Sequence, residues 1–286
     1  MRRGFTLIEL VFVIVIIGII SKFGVELLYK SYEAYVVSNT FNRFTNESEL
    51  AVKQIANRLS YRIKDTVIAR TAPGAAVVPI GSITGNENVL EWMGIDSDGW
   101  RSSPPTWSGL IDLSPVSPGG LATSTIAGLS SPGTTTNDSG AIFFIGAPVD
   151  LSSNFGYDGA AVTTQNEAIH PVNMGAMITS SNADDFDGID VYEFYQFTKS
   201  AFAVSLDTAN PIVTNGVTSY KLIFYYDYKP WDGESMTAGK STVLMENVKS
   251  FDFATIGDIL IVQVCLTDSN AAGLGEYSLC KEKVIF

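Results

Sequence analysis

The chain of 286 residues has one histidine, two cysteines and few cations, and each shortage excludes a class of function. His170 precedes Pro171 in a loop-like stretch with no nucleophile motif beside it, which removes the Ser-His and Cys-His classes of catalysis. Cys265 and Cys280 have no histidine nearby and make no zinc site. No P-loop, no H-E-x-x-H and no dinucleotide-binding glycine fingerprint occurs. Lys plus Arg total 18 against 30 acids, a formal charge of -12, so no nucleic acid is expected as a partner. Arg58, Arg62, Lys64 and Arg70 are interleaved with apolar positions of one predicted helix and read as its solvated face. Two acidic turns, Asp96–Gly99 and Asp184–Asp190, carry carboxylates of the kind calcium takes. Neither matches an EF-hand loop, Ala183 standing where a first ligand belongs, and both read as solvated turns. No cofactor, no metal and no enzymatic activity are expected.

What the chain does have is concentrated at its start, which reads Met1-Arg2-Arg3-Gly4-Phe5-Thr6-Leu7-Ile8-Glu9-Leu10. From Phe5 to Ile20 the one charged residue is Glu9, and apolar character continues to Leu28 with Lys22 and Glu26 interrupting. A helix from Phe5 to Leu28 reaches about 36 Å, enough to cross a hydrocarbon core of about 30 Å. Arg2 and Arg3 precede it, so the positive-inside rule keeps the N-terminus cytoplasmic and exports the rest. A conventional secretory signal needs small residues at a cleavage site after the apolar run, and Gly18-Ile19-Ile20-Ser21-Lys22-Phe23 supplies no such pattern. A plain signal anchor leaves Glu9 unexplained, because a carboxylate inside a membrane segment costs a few kcal/mol and calls for a partner.

Gly4-Phe5-Thr6-Leu7-Ile8-Glu9 followed by an apolar run resembles the type IV prepilin signature. The resemblance implies that a membrane peptidase cuts between Gly4 and Phe5 and N-methylates Phe5 as the mature N-terminus. It also implies that Glu9 pairs with the N-terminal amine of a neighbouring subunit and sets axial register during assembly. The chemistry suits those positions. Glycine lets a protease approach the scissile backbone, and a carboxylate at low dielectric attracts a cation strongly. Loss of Arg2 and Arg3 makes the mature chain still more acidic.

The apolar period does not end at the membrane. Phe41, Phe44, Ala51, Ile55, Leu59, Ile63 and Val67 recur mostly every three or four residues, one face of an amphipathic helix that Pro73-Gly74 then stops. The expected divisions are a leader over 1–4, a transmembrane helix half over 5–28, an amphipathic helix half over 29–72 and a β-rich domain over 73–286. Gly, Ser, Thr and Pro dominate 73–140, with Ser102–Pro105 and Ser130–Gly140 as loops. Strands are expected at Val89–Met93, Ala141–Ala147, Ile189–Phe197, Ser219–Tyr228, Ser241–Phe253, Asp258–Thr267 and Tyr277–Phe286. The fold class is therefore α+β, and pilin-like proteins have this arrangement, a long N-terminal helix whose second half packs on an antiparallel sheet. In an exported domain Cys265 and Cys280 are expected to form one disulfide, with two buried thiols as the alternative.

Leu244–Phe253 with the alternating Ile259–Leu266 resembles the C-terminal half of large minor pilins and minor pseudopilins. That resemblance implies a structural subunit that initiates or caps a type IV pilus or a type II secretion pseudopilus. Its implied partners are other pilin or pseudopilin subunits, the prepilin peptidase, the inner-membrane assembly platform and membrane lipid. The implied location is the bacterial inner membrane, single-pass, with a periplasmic C-terminal domain that can enter an extracellular filament. A filament-tip binding module for a surface or polymer is the alternative; Tyr225, Tyr226, Tyr228 and Trp231 are its aromatic candidates, although sheet core is the simpler reading of them. Asn46-Glu47-Ser48 and Asn137-Asp138-Ser139 match the short glycosylation pattern.

Overall fold

A computed structural model describes residues 6–103, 105–111, 121–122, 138–149, 155–175, 177–186, 188–268 and 277–286. One helix, α1 (Leu7–Leu59), opens the chain, and its 53 residues reach about 80 Å at 1.5 Å per residue. The described strands follow as β1 (Ile68–Arg70), β2 (Val78–Pro79), β3 (Val89–Ile95), β4 (Leu121–Ala122), β5 (Asp138–Phe144), β6 (His170–Met174), β7 (Met177–Ser180), β8 (Tyr195–Leu206), β9 (Ile212–Thr214), β10 (Val217–Tyr228), β11 (Lys240–Ile256), β12 (Ile259–Asp268) and β13 (Tyr277–Ile285), with a short helix α2 (Ser97–Arg101) after β3. This is the expected α+β arrangement, and every strand pairing is antiparallel.

The sheet runs β13-β12-β11-β10-β8 and then passes through β8 to β5, β6, β7 and β4. β8 is the shared strand. Residues 195–198 pair with β5, residues 198–205 with β3 and residues 201–206 with β10. The second half of α1 lies on the β10–β13 side, and Phe44, Ala51, Val52, Ile55, Ala56 and Leu59 are buried against Leu222, Phe224, Val248, Phe251, Val262, Val264 and Ile285. Those helix positions fall three or four apart, so one stripe faces the sheet. Two further cores fill the other lobe, one around Tyr228, Trp231 and Met93, the other around Trp107, Tyr195 and Phe197.

β11 holds its stripe against α1 through a bulge. Tyr220 pairs with Val248 and Leu222 with Met245, so β11 takes three steps where β10 takes two. Asn247 absorbs the extra residue at φ +59°, a left-handed conformation that Asn tolerates better than most side chains. This bulge and a second register shift between Val248 and Ser250 against β12 bring Met245, Val248 and Phe251 to the buried face at a spacing of three.

The helix stops earlier than its apolar period suggests, at Leu59 instead of Ala72. Ile63 and Val67 continue the spacing and are buried, but the Ile63 backbone bonds to β3 and the Val67 N–H closes a tight turn on the Lys64 carbonyl. Ile63 N–H donates to the Met93 carbonyl (2.9 Å) and Ile95 N–H to the Tyr61 carbonyl (2.7 Å), which sends the chain along the end of β3. Pro73-Gly74 is thus a turn between β1 and β2, with Gly74 at φ +78° and Ala75 N–H returning to the Ala72 carbonyl.

The same rearrangement corrects the reading of the arginines as a solvated face. Arg62 and Arg70 are each only 6% exposed. Arg62 donates to the carbonyls of Leu59 and Asp258, both at 2.9 Å, and so covers the C-terminal end of α1. Arg70 donates through Nε to Glu91 (2.8 Å) and through its remaining nitrogens to the carbonyls of Ala75 and Tyr157, while the Tyr228 hydroxyl donates to the other Glu91 oxygen (2.8 Å). Burying that pair is tolerable because these groups are hydrogen-bonded, and the network ties β1, β3 and β10 together. Arg58 is exposed with its guanidinium 4.5 Å above the Phe224 ring, and Lys64 is exposed beside Asp258.

The strand expected at Ile189–Phe197 instead begins at Tyr195 and continues to Leu206. At its centre the small Ala201 and Ala203 stand beside large neighbours, Ala201 opposite Met93 and Tyr228 and Ala203 opposite Tyr225, while Phe202 on the other face meets Trp92. β6 also replaces the loop expected around His170.

Cys265 and Cys280 lie directly opposite each other on β12 and β13 and are disulfide-bonded. β13 pairs with β12 alone, so the bond fastens the outermost strand of the sheet on which α1 rests. Chain-entropy arguments give a 15-residue separation roughly 3 kcal/mol of stabilisation. Urea unfolding of the detergent-solubilised protein is expected to shift to lower urea on reduction, and Cys280→Ser is expected to show that lower midpoint with or without reductant. Unchanged unfolding of the reduced wild type contradicts the contribution assigned to the bond.

Candidate functional site

The elements that the sequence marks for chemistry lie on α1. Thr6 is its N-cap, extended at φ -79° and ψ 149°, and its hydroxyl accepts from Glu9 N–H (3.4 Å). The Glu9 carboxylate reaches back to accept from Thr6 N–H (3.2 Å) and from the Thr6 hydroxyl (3.0 Å). The pair is a capping box, a feature the T-x-x-E spacing of Thr6-Leu7-Ile8-Glu9 already encodes and that a search for membrane and processing signals passes over. Both bonds end on one carboxylate oxygen, Oε2, and the second oxygen accepts no hydrogen bond among the described residues. Gly4 and Phe5 lie outside the described residues.

Beyond the cap the helix is unsupported by the domain. Its most apolar 18-residue window, mean hydropathy 2.5, is wholly unburied, so the helix is long and apolar enough to cross a membrane. Leu7, Ile8, Leu10, Phe12, Ile14, Ile20 and Phe23 all project outward. The soluble domain takes hold further on. Phe41 meets Tyr277 edge-to-face with ring centres 6.4 Å apart, Arg43 pairs with Asp268 at 3.3 Å, and Phe44 is the first fully buried residue of the helix. An apolar rod, with Glu9 as its one carboxylate before Glu26, therefore projects free of a packed domain. It can enter lipid, and it can pack beside like rods.

The other residues weighed from sequence have structural partners. Asp96 caps α2 by accepting from Gly99 N–H (3.1 Å) and pairs with Lys199 (3.1 Å). Asp184 accepts from Gln165 N–H (2.8 Å), and Asp187 is outside the described residues. Among the described residues no group of three or more His, Cys, Asp or Glu is placed to hold a metal. Tyr228 and Trp231 are core residues, and Tyr225 and Tyr226 are half-buried. Ser48 of the first glycosylation pattern is buried against the sheet, and Asn137 of the second lies outside the described residues.

His170 is buried between Phe144 and Phe186, with Nδ1 3.2 Å from the Gln165 side-chain oxygen. Burial lowers its pKa from 6.5 to about 4, the contact with Gln165 opposing in part. The folded protein thus holds His170 neutral while the unfolded chain takes a proton near pH 6.5. Between those values the unfolded state binds more protons, so stability is full above pH 6.5, falls as pH drops towards 4 and is flat in this residue below that. The shift corresponds to roughly 3 kcal/mol. Urea midpoints measured from pH 7 to pH 4 are expected to fall less for His170→Gln than for the wild type; parallel curves contradict the assignment.

Residues 1–21 match the family model described as the prokaryotic N-terminal methylation motif. No curated protein and no solved structure matches the chain. The motif is the prepilin-type signature of type IV pilin-like proteins, and it implies processing by a prepilin peptidase and assembly with other pilins. It indicates a structural protein, and together with the apolar helix it fits a membrane-anchored one.

Proposed function

We propose that this chain, a type IV pilin- or pseudopilin-like protein by its signature, is a minor subunit that helps initiate or cap a pilus or a type II secretion pseudopilus. The observation that carries the reading is the free first half of α1, apolar and unburied, with Glu9 near its start. Residues 1–4 act as the leader, and the peptidase cuts between Gly4 and Phe5 and methylates Phe5. Residues 5–28 hold the protein in the inner membrane with its N-terminus cytoplasmic and its domain periplasmic. Other subunits and the assembly platform meet it along this helix.

Glu9 is the electrostatic element of that interface. Its Oε2 is engaged by Thr6, which fixes the carboxylate at the helix start, and Oε1 remains available for the ammonium of a neighbouring subunit. In a low-dielectric surrounding an ion pair of this kind outweighs what it is worth in water, and an unpaired carboxylate is costly. Register along a bundle of apolar helices then depends on a charge that can be satisfied at one height only. The size of the domain and the elaborated lobe beyond β8 favour a minor subunit over a repeating one.

Glu9→Val tests the role directly in the native host. Processing and membrane association are expected to persist, because leader and anchor are unchanged, while recovery in sheared filaments drops. Incorporation at the wild-type level contradicts the proposed ion pair.

A further inference from the structure

The chain has twelve tyrosines, and three of them, Tyr29, Tyr32 and Tyr35, fall within seven consecutive residues of α1. All three are strongly exposed, at 58%, 63% and 67%. They precede Phe41 and Arg43, which contact Tyr277 and Asp268 of the domain. The aromatic residues that precede them, Phe5, Phe12 and Phe23, are all phenylalanine. The chain thus switches at Tyr29 from wholly apolar rings to rings with a hydroxyl at one end, the type that collects where hydrocarbon meets water.

The position fits the arithmetic. From Leu7 to Tyr29 the helix rises about 33 Å, against a hydrocarbon core of about 30 Å, and Tyr35 stands about 9 Å further out. Helical side chains lean towards the N-terminus, which lowers each ring below its own Cα and towards the bilayer. The Glu26–Lys30 ion pair, at 3.0 Å, marks the same height. Spaced three residues apart, the three rings step by about 60° around the axis and share one side of the helix.

We infer that Tyr29, Tyr32 and Tyr35 form a belt in the headgroup layer of the anchoring bilayer. The belt sets how deep α1 sits and how far above the membrane the domain is held. This rests on the membrane anchoring proposed above and adds the lipid surface as the partner of a defined segment. Hydroxyl groups of the belt bond to phosphate and glycerol oxygens while the rings cover the top of the acyl chains, so sliding the helix by one turn in either direction loses one set of contacts.

The test uses the full chain in phosphatidylcholine–phosphatidylglycerol vesicles, with bromine carried either near the headgroup or near the end of the acyl chain. The four native tryptophans, Trp92, Trp100, Trp107 and Trp231, all lie in the soluble domain and provide the background. Tyr32→Trp is expected to add emission that the shallow bromolipid quenches more than the deep one. Ile17→Trp, at mid-helix, is expected to show the reverse order. Loss of quenching in both variants overturns the anchoring and the belt together. Deep quenching of Ile17→Trp with no quenching, or stronger deep quenching, of Tyr32→Trp leaves the anchor standing and overturns the belt.

Discussion

The structure depends on one seam, the apolar stripe from Phe44 to Leu59 that seats the second half of α1 on the β10–β13 sheet. The stripe decides where the helix belongs to the domain and where it does not. Above Phe44 the helix is part of a core and cannot be withdrawn without exposing the faces of four strands. Along its first, apolar run the helix is free, and its side chains demand an apolar surrounding that the domain does not offer. A filament subunit needs both properties in one element. The seam joins a free apolar rod to a folded domain, and the disulfide between β12 and β13 fastens the edge strand of that seat.

The second lobe is built outward from the seam through β8, which pairs with β10 on the seat and with β5 beyond it. The Arg70–Glu91–Tyr228 network crosses the junction between the lobes, joining β1, β3 and β10 in a region where each polar group is taken from water. Arg62 closes the end of α1 in the same region. The charged residues of this junction orient strands, whereas Glu9 at the far end of the helix is exposed and, among the described residues, is held by Thr6 through one oxygen.

How much of this the sequence discloses depends on what each residue's signal reports. The membrane run, Glu9 within it, the leader motif and the hairpin strands β10 to β13 are legible because each rests on a local pattern of charge, length or alternation. The cysteine pair is legible from compartment alone. The end of α1 is not, since Leu59, Ile63 and Val67 keep the helical period while the backbone at Tyr61 and Ile63 is claimed by β3, a partner some thirty residues away in the chain. β8 is poorly legible for a related reason: small residues at its centre complement large ones on β3 and β10, so its strand character lies in its neighbours. Arg62 and Arg70 look like surface charges because the carbonyls and carboxylate that hold them come from other elements. The capping box at Thr6 and Glu9 is legible from spacing and is overlooked only when the segment is read for its hydrophobicity.

The central claim is that the first half of α1 is a processed, membrane-borne assembly element. It is tested most directly by the intact mass and N-terminal sequence of the protein purified from its native membrane. The account predicts a chain that begins at N-methylated Phe5. A chain that retains Met1, or one cut after the apolar run, contradicts it and leaves a tethered or released β-rich domain without a place in a filament.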